Sequence, residues 1–261
     1  MTIAQTSVEL FNQLQDQGLS TGDLQRLRGA YGFAMTLFAG RMHPSGKPYL
    51  AHCVGAASAV ASIGAPTDVV AAALLHGAYR LGDFGARRIR LASKRRCLQR
   101  ALGDAAETYV HRFAQQPWRT DAIAALRDQC GALDATTRTT VLIRLASELD
   151  NVRDRAPLFC ADAEARHDAL RVRSPLLIEL ADRLPVPQPL RDALAAALAE
   201  VLRADVPASL RWSGATEEIV PPASARQRWQ VSAVAVVRAV ARRMQRRGTS
   251  AAADASSVAR E

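Results

Sequence analysis

Two histidines lie beside apolar segments in a spacing that could build a buried site. His76 ends the apolar run Leu74-Leu75-His76-Gly77, and His52 lies at an end of an earlier apolar helix. Imidazoles brought together in this way are common metal ligands, because each offers a nitrogen lone pair near neutral pH. A metal site here would favour a carboxylate directly after the second histidine, and the chain has Gly77 instead. The pair therefore indicates a buried polar site without establishing a metal.

Apolar residues at helical spacing predict the elements that would position this site. The pattern predicts helices at residues 7–17, 21–38, 49–63, 69–79, 102–113, 136–153, 161–183 and 188–203. The loop 43–48 contains two prolines and a glycine, which end the second helix. No stretch predicts a β-strand. The fold expected from the sequence is therefore all-α.

Composition and charge agree with a helical domain that carries a basic tail. Hydrophobic residues make up 49% of the chain and aromatic residues only 5%, which favours closely packed helices over a β-sandwich. The net charge is +9, and the residues after position 225 supply most of it. The four cysteines match no zinc spacing, and neither a signal peptide nor an apolar membrane span is evident. We therefore expect a cytoplasmic protein with reduced thiols.

The chain divides into four predicted segments. Residues 1–205 form the helical domain, 206–224 a linker, 225–247 a basic amphipathic helix and 248–261 a disordered tail rich in alanine and serine. The basic helix contains seven arginines and no acidic residue. Such a helix either docks on an anionic membrane surface or an acidic partner, or packs on its own domain and exposes its arginines.

Four short segments follow one another in a recognisable order. They are SGKPYLAH at 45–52, AAALLHG at 71–77, LGDAAETYVHRFA at 102–114 and VLIRLASELDNVRD at 141–154. This order resembles the HD-type hydrolase domain of the RelA/SpoT family, over roughly residues 24–203. The resemblance implies an HD-type helical bundle. Members of that family remove pyrophosphate from the alarmone (p)ppGpp with a bound manganese ion. Nothing after about residue 205 resembles the family's synthetase domain, so we expect no alarmone synthesis.

The resemblance also implies that this chain has lost the family's metal ligands in part. The two metal-binding histidines of the family match His52 and His76. The aspartate that follows the second histidine falls on Gly77, and the distal metal aspartate falls on Ser147. The asparagine one helical turn further matches Asn151. Manganese prefers hard oxygen donors, so two histidines without a carboxylate would bind it weakly.

The family's catalytic and nucleotide-binding positions differ as well. Its acidic pair, which activates and positions the attacking water, falls on Arg80 and Leu81, and its nucleotide-binding arginine falls on His43. A metal-bound water would therefore lack its general base. In a metal-free role, His43 or His76 would act as acid or base, and Arg80 would hold a phosphate or carboxylate group.

The pocket that the resemblance implies is predicted to bind a small anionic molecule, for example a nucleotide. The predicted ligand-binding residues are His43, Lys47, Tyr49, His52, His76, Arg80, Ser147 and Asn151. Two alternatives remain open. The two histidines could simply be buried and satisfied by the backbone, Ser147 or Asn151. A carboxylate elsewhere in the sequence could also replace a lost ligand, the candidates being Asp83, Asp150 and Asp154.

Three functions remain open on the sequence. The first is a divergent HD-domain protein that needs no cofactor, lacks manganese pyrophosphohydrolase activity, and binds or acts on its ligand without metal. The second is an active phosphohydrolase whose manganese is held by a rebuilt site around His52 and His76. The third is a non-enzymatic interaction protein that uses the basic helix. The basic run at 87–100 is either a solvated helix face or an anion-binding patch, and it lacks the aromatic residues of a single-strand nucleic-acid site.

Overall fold

Helices account for most of the structure, a computed structural model that describes residues 1–85 and 90–212. The helices are α1 (Ser7–Asp16), α2 (Thr21–Leu37), α3 (Tyr49–Ala61), α4 (Thr67–Leu74), α5 (Ala78–Leu81), α6 (Leu91–Leu102), α7 (Asp104–Gln115), α8 (Thr120–Asp128), α9 (Ala135–Arg153), α10 (Ala163–Arg183) and α11 (Gln188–Arg203). The described residues contain no strand beyond one isolated bridge between Met42 and Pro48. The prediction of an all-α bundle is confirmed for this part of the chain.

Helix α3 lies at the centre of the bundle and packs against α1, α4 and α9. All but two of its residues are buried, and most of them are small, as in the run from Cys53 to Ala59. Small side chains allow the neighbouring helix axes to approach closely, which fills the interior without voids. Helix α4 is buried from Val69 to Leu74, as expected of a helix that is apolar on all faces.

Side-chain caps mark the starts of several helices. The Ser20 hydroxyl accepts a hydrogen bond from the Asp23 amide at the start of α2. Asp134 caps α9 in the same way, through the Thr137 amide. Gly103, at a positive φ of 86°, separates α6 from α7. These local signals fix the ends of the helices that frame the centre.

The predicted helix 69–79 is divided in the structure. Helix α4 ends at Leu74 and α5 begins at Ala78, so His76 lies in the turn between them. The His76 Nδ1–H donates to the Ala73 carbonyl at 2.7 Å, and this carbonyl would otherwise accept a helical amide. Because the side chain takes the place of a backbone donor, the turn points the imidazole inward.

Two helices were not predicted from the sequence. Helix α6 falls within the basic run, where only Leu98 and Leu102 are buried and the apolar periodicity is short. Helix α8 buries a single large side chain, Ile123. A helix that buries so few side chains leaves little pattern to detect.

Of the basic run, Arg87 and Arg88 lie outside the described residues, while Lys94 Nζ donates to the Tyr79 carbonyl at 3.1 Å.

The described chain continues past the predicted domain boundary at 205. Val206 is buried, and the Trp212 amide donates to the Phe159 carbonyl at 2.6 Å. The rest of the predicted linker, the basic helix 225–247 and the tail 248–261 lie outside the described residues. Within the described ranges, we find no helix whose length and hydropathy would allow it to cross a membrane.

Candidate functional site

A cavity of about 310 Å³ opens where α3, α9, α7 and the turn between α4 and α5 meet. This volume is in the range of small-molecule sites. Its polar lining residues are His43, Tyr49, His52, His76, Arg80, Arg144, Ser147 and Arg166, and its apolar ones are Met42, Pro44, Gly77, Leu81 and Phe113. Among these described lining residues there are three arginines and no carboxylate. The cavity is therefore set up to attract negative charge.

Six of the eight predicted ligand-binding residues line this cavity, and two do not. The two exceptions are Lys47 and Asn151. Lys47 Nζ instead lies 2.9 Å from Asp150 Oδ2 and 2.9 Å from Asp154 Oδ2. The buried Oδ1 atom of Asn151 has no hydrogen-bond partner among the described residues. The structure thus brings both histidines and Ser147 together but places Asn151 away from them.

Helices α7, α9 and α10 each contribute a lining residue that the sequence reasoning missed. Arg144 carried a usable signal, because it precedes Ser147 by three residues and so shares its face of α9. Phe113 and Arg166 reach the cavity from α7 and α10. Their approach depends on how those helices pack, and no local sequence signal marks it.

Asp150 is the buried centre of a hydrogen-bond network behind the cavity. Its side chain is 1% exposed, and Oδ2 accepts from His52 Nδ1 at 2.8 Å and from Lys47 Nζ at 2.9 Å. Gln5 Nε2 donates to Oδ1 at 2.8 Å. Burial alone would raise the pKa of this carboxyl, but the hydrogen bond from His52 and the charge and hydrogen bond of Lys47 lower it to about 2. Asp150 is therefore ionised at neutral pH.

Gly55 makes the approach of Asp150 to α3 possible. A Cβ added at Gly55 would overlap Asp150 Oδ1 and would lie 2.9 Å from Gln5 Nε2. Any larger residue would push the carboxylate away from His52. The absence of a side chain at this one position of α3 therefore allows the buried network to form.

The Asp150 carboxylate also fixes the orientation of His52. Because an ionised carboxylate only accepts, His52 Nδ1 carries a proton that it donates to Asp150, and Nε2 points to the other side of the ring. Ser147 Oγ lies 3.2 Å from that Nε2 atom, within hydrogen-bond distance. Both residues are buried, with His52 4% and Ser147 8% exposed.

His76 is held as a neutral imidazole. Its Nδ1–H donates to Ala73, so Nε2 accepts, and the Tyr49 hydroxyl lies 3.3 Å from it. Burial lowers the pKa of His76 to about 3. Burial likewise lowers the pKa of His43 to about 3. Neither ring is therefore a cation at neutral pH, and the positive charge of the lining comes from the arginines.

Tyr49 occupies the space into which a side chain at position 77 would project. A Cβ added at Gly77 would overlap the Tyr49 hydroxyl oxygen and would lie 2.8 Å from its Cζ atom. The φ angle of Gly77 is −87°, which any residue can adopt. Space rather than backbone conformation thus requires glycine here.

Arg144 brings a buried positive charge to the cavity wall. Its guanidinium carbon lies 3.5 Å from the centroid of the Phe113 ring. Nη2 donates to the carbonyl of Phe113 at 2.5 Å and to that of Gln116 at 2.9 Å. Burial lowers its pKa to about 10, which still leaves it charged at neutral pH. Its hydrogen-bond partners within the described residues are backbone carbonyls, so no described carboxylate neutralises it by contact.

The residues present do not fit the manganese site that the resemblance implies. The Nε2 atoms of His52 and His76 each face a hydroxyl group, and no carboxylate lines the cavity in the described ranges. No group of three histidine, cysteine or acidic residues in those ranges is arranged to hold a metal. Manganese bound by two imidazoles alone would lack the oxygen donors that it prefers.

The three carboxylates considered as replacement ligands all lie outside the cavity lining. Asp150 approaches His52 from its Nδ1 side, and Asp154 is 41% exposed and pairs with Lys47. Asp83 accepts from the Gly85 amide at 2.8 Å. None of them is among the described residues that line the cavity. The donors that a rebuilt metal site would need are therefore directed elsewhere.

Comparison with known proteins finds a family model and a solved structure that are similar to this chain. The family model of a domain of unknown function, DUF6817, matches residues 35–117. A solved structure described as a metazoan orthologue of SpoT that hydrolyzes ppGpp and plays a role in starvation responses is 18% identical, with a TM-score of 0.45. That match covers 71% of this chain and 96% of the other. No curated protein matches. The DUF6817 match includes His43, His52 and His76 and ends before α9.

Proposed function

We propose that this chain is a divergent HD-domain protein of the RelA/SpoT type that binds a small anionic molecule in a metal-free pocket. A nucleotide or another phosphorylated compound is the class of ligand that fits this proposal. Manganese-dependent removal of pyrophosphate is not part of it, because the lining offers neither the carboxylate ligands nor the acidic pair that this reaction uses. The residues proposed to contact the ligand are His43, Tyr49, His52, His76, Arg80, Arg144, Ser147 and Arg166.

The buried guanidinium of Arg144 is the observation that carries the proposal. Arg144 is only 9% exposed, and its described hydrogen bonds go to backbone carbonyls. The charge of Glu148 acts on Arg144 from nearby, but no carboxylate is among its described hydrogen-bond partners. Burying such a charge is costly, and an anion in the cavity would offset this cost. Arg80 and Arg166 add guanidinium groups to the same lining, and Arg166 Nε also donates to Asp162 Oδ1 at 2.6 Å. Guanidinium groups bind phosphate and carboxylate groups in a bidentate manner, which favours both as ligand groups.

Calorimetric titration of the full chain with inorganic pyrophosphate and with GDP, in buffer that contains EDTA, tests the proposal. We expect saturable binding without added metal. Arg80→Gln should weaken the affinity by about 10-fold or more, since a hydrogen bond to a charged group contributes about 1.5–3 kcal/mol. Arg80 is the preferred position because it is exposed, and its loss should leave the fold intact.

Arg203→Gln is the matched control for this titration. Arg203 is an exposed arginine in the last turn of α11, and it does not line the cavity. Its replacement removes the same charge from the chain, and we expect it to leave the affinity within about twofold of wild type, because exposed charges at a distance are screened. The proposal would be contradicted if neither pyrophosphate nor GDP binds, or if Arg80→Gln and Arg203→Gln weaken the affinity equally.

A further inference from the structure

Ser147, His52 and Asp150 form a continuous chain of hydrogen bonds that ends at the cavity. Asp150 Oδ2 lies 2.8 Å from His52 Nδ1, and His52 Nε2 lies 3.2 Å from Ser147 Oγ. The carboxylate is on one ring nitrogen and the hydroxyl is on the other. In this order a neutral His52 presents its Nε2 lone pair to the hydroxyl, which is the arrangement that activates a serine as a nucleophile.

More hydrogen bonds orient these three residues than a single buried histidine needs. One hydrogen bond at each nitrogen would satisfy His52 in either tautomer. Here the carboxylate is itself locked by Gln5 on Oδ1 and by Lys47 on Oδ2, and Gly55 leaves room for it against α3. Asp150 is therefore oriented by its own partners, and it in turn orients the ring.

Ser147 is also placed where a bound molecule could reach it. It lies on the face of α9 that lines the cavity, together with Arg144 one turn before it. Arg144 keeps a positive charge in that space, and a fixed positive charge stabilises negative charge that develops on a reacting oxygen. The nucleophile, its base and a cationic group thus share one cavity.

We propose that Ser147, His52 and Asp150 form a metal-free catalytic triad that hydrolyses a carboxylic ester carrying an anionic group. Ser147 is the nucleophile and His52 is the general base, while Asp150 is the residue that positions His52. The requirement for an anionic group on the substrate rests on the proposed function, because the arginine-lined cavity would bind that group. The triad itself rests only on the hydrogen bonds of the three residues.

The reaction proceeds in two balanced steps. In the first step Ser147 Oγ forms a bond to the ester carbonyl carbon while its proton moves to His52 Nε2. The bond between that carbon and the alkoxy oxygen then breaks, and the departing oxygen takes the proton from Nε2 as the alcohol. In the second step a water oxygen attacks the acyl carbon, His52 Nε2 takes the water proton, and the Oγ–carbon bond breaks as this proton returns to Oγ. Ester and water give acid and alcohol, and no oxidant or metal is needed.

Labelling of the full-length protein with a fluorophosphonate probe in the presence of EDTA tests the triad. The probe forms an Oγ–phosphorus bond and loses fluoride at an activated serine. Intact-mass measurement should show one adduct, and peptide mapping should place it on Ser147. Ser147→Ala should abolish the adduct, and His52→Gln should slow labelling by more than about 100-fold. Ser93→Ala, which removes a serine on α6 outside the cavity, should label like wild type.

Turnover of esters provides a second measurement that does not depend on the probe. Mono-p-nitrophenyl succinate, which carries an anionic acyl group, should be hydrolysed faster than p-nitrophenyl acetate, and Ser147→Ala should remove this activity. Circular dichroism on each variant confirms that it is folded. Absence of an adduct on the folded wild-type protein, or an adduct that persists in Ser147→Ala, would overturn the triad. Ser147 labelling without anion binding would overturn the proposed function alone, and anion binding without labelling would overturn the triad alone.

Discussion

Replacement of Asp150 by asparagine is expected to lower the free energy of unfolding by about 3–5 kcal/mol, the usual cost of removing one partner from a buried ion pair. Asp150 accepts from Gln5, Lys47 and His52 at 2.8–2.9 Å and is 1% exposed. An asparagine has the same shape, but it presents an amide NH₂ in place of one accepting oxygen and leaves Lys47 without its buried counter-ion. Urea denaturation near neutral pH measures the loss.

Asp154→Asn is the matched control for this prediction. Asp154 also pairs with Lys47 at 2.9 Å, but it is 41% exposed, so solvent screens the pair. Its replacement should cost less than about 1 kcal/mol. Equal losses of stability in Asp150→Asn and Asp154→Asn would show that burial and the contact with His52 do not strengthen the ion pair, and would contradict the role given to Asp150.

The acid sensitivity of the fold provides a second readout of the same carboxylate. Its folded-state pKa of about 2 lies below the ordinary value of 3.8. Its contribution to stability is therefore complete above about pH 4 and is lost as the pH falls toward 2. The difference in stability between wild type and Asp150→Asn should shrink by about 1 kcal/mol between pH 7 and pH 3. A difference that stays constant would indicate that the carboxyl is not held in its charged form.

Replacement of Gly77 by alanine is expected to destabilise the protein by about 1–3 kcal/mol, because the new methyl group would meet the Tyr49 side chain. Gly77→Asp, which restores the residue type expected from the resemblance, should cost more, since it adds a buried charge to the same crowded position. Thermal and urea denaturation of the two variants measure the effect. The result would show directly that Tyr49 excludes a carboxylate after His76.

A double-mutant cycle with Tyr49→Ala separates this overlap from other effects at position 77. Tyr49→Ala alone should be destabilising, because it leaves a cavity at a buried aromatic position. In the Tyr49→Ala background, however, Gly77→Ala should lower the stability very little, so the losses of stability in the two single variants should not be additive. Gly29→Ala on α2, where an added Cβ meets no atom within 4 Å, should raise stability by up to about 1 kcal/mol. A Gly77→Ala cost that persists in the Tyr49→Ala background would contradict the account.

Periodicity and caps in the sequence were sufficient to predict the all-α fold and most helix ends. The convergence of His52, His76 and Ser147 followed from the order of the segments that carry the resemblance. The order of the segments did not, however, predict that Asp150 is the hydrogen-bond partner of His52. Helical spacing grouped Asn151 with Ser147 and left Asp150 to one side, whereas the structure directs Asp150 toward His52. That choice depends on how α3 crosses α9, which sequence spacing along one helix does not specify.

The crowding at Gly77 was also beyond the sequence. The resemblance implied a carboxylate at this position, but only the tertiary structure shows that Tyr49, from a different helix, fills the space beside it. The turn at His76 was missed for a related reason. Apolar periodicity continues through residues 69–79, and the helix is interrupted by a side-chain bond from His76 to the Ala73 carbonyl that leaves no trace in the pattern.

Titration of the purified full chain with manganese, followed by electron paramagnetic resonance of the free ion, tests the central claim of a metal-free pocket most directly. We expect the signal of free manganese to rise in proportion to the metal added, from the first addition onward. Loss of one equivalent of manganese from that signal, with recovery of the signal in His76→Gln, would show that a metal site persists around His52 and His76 and would contradict the account.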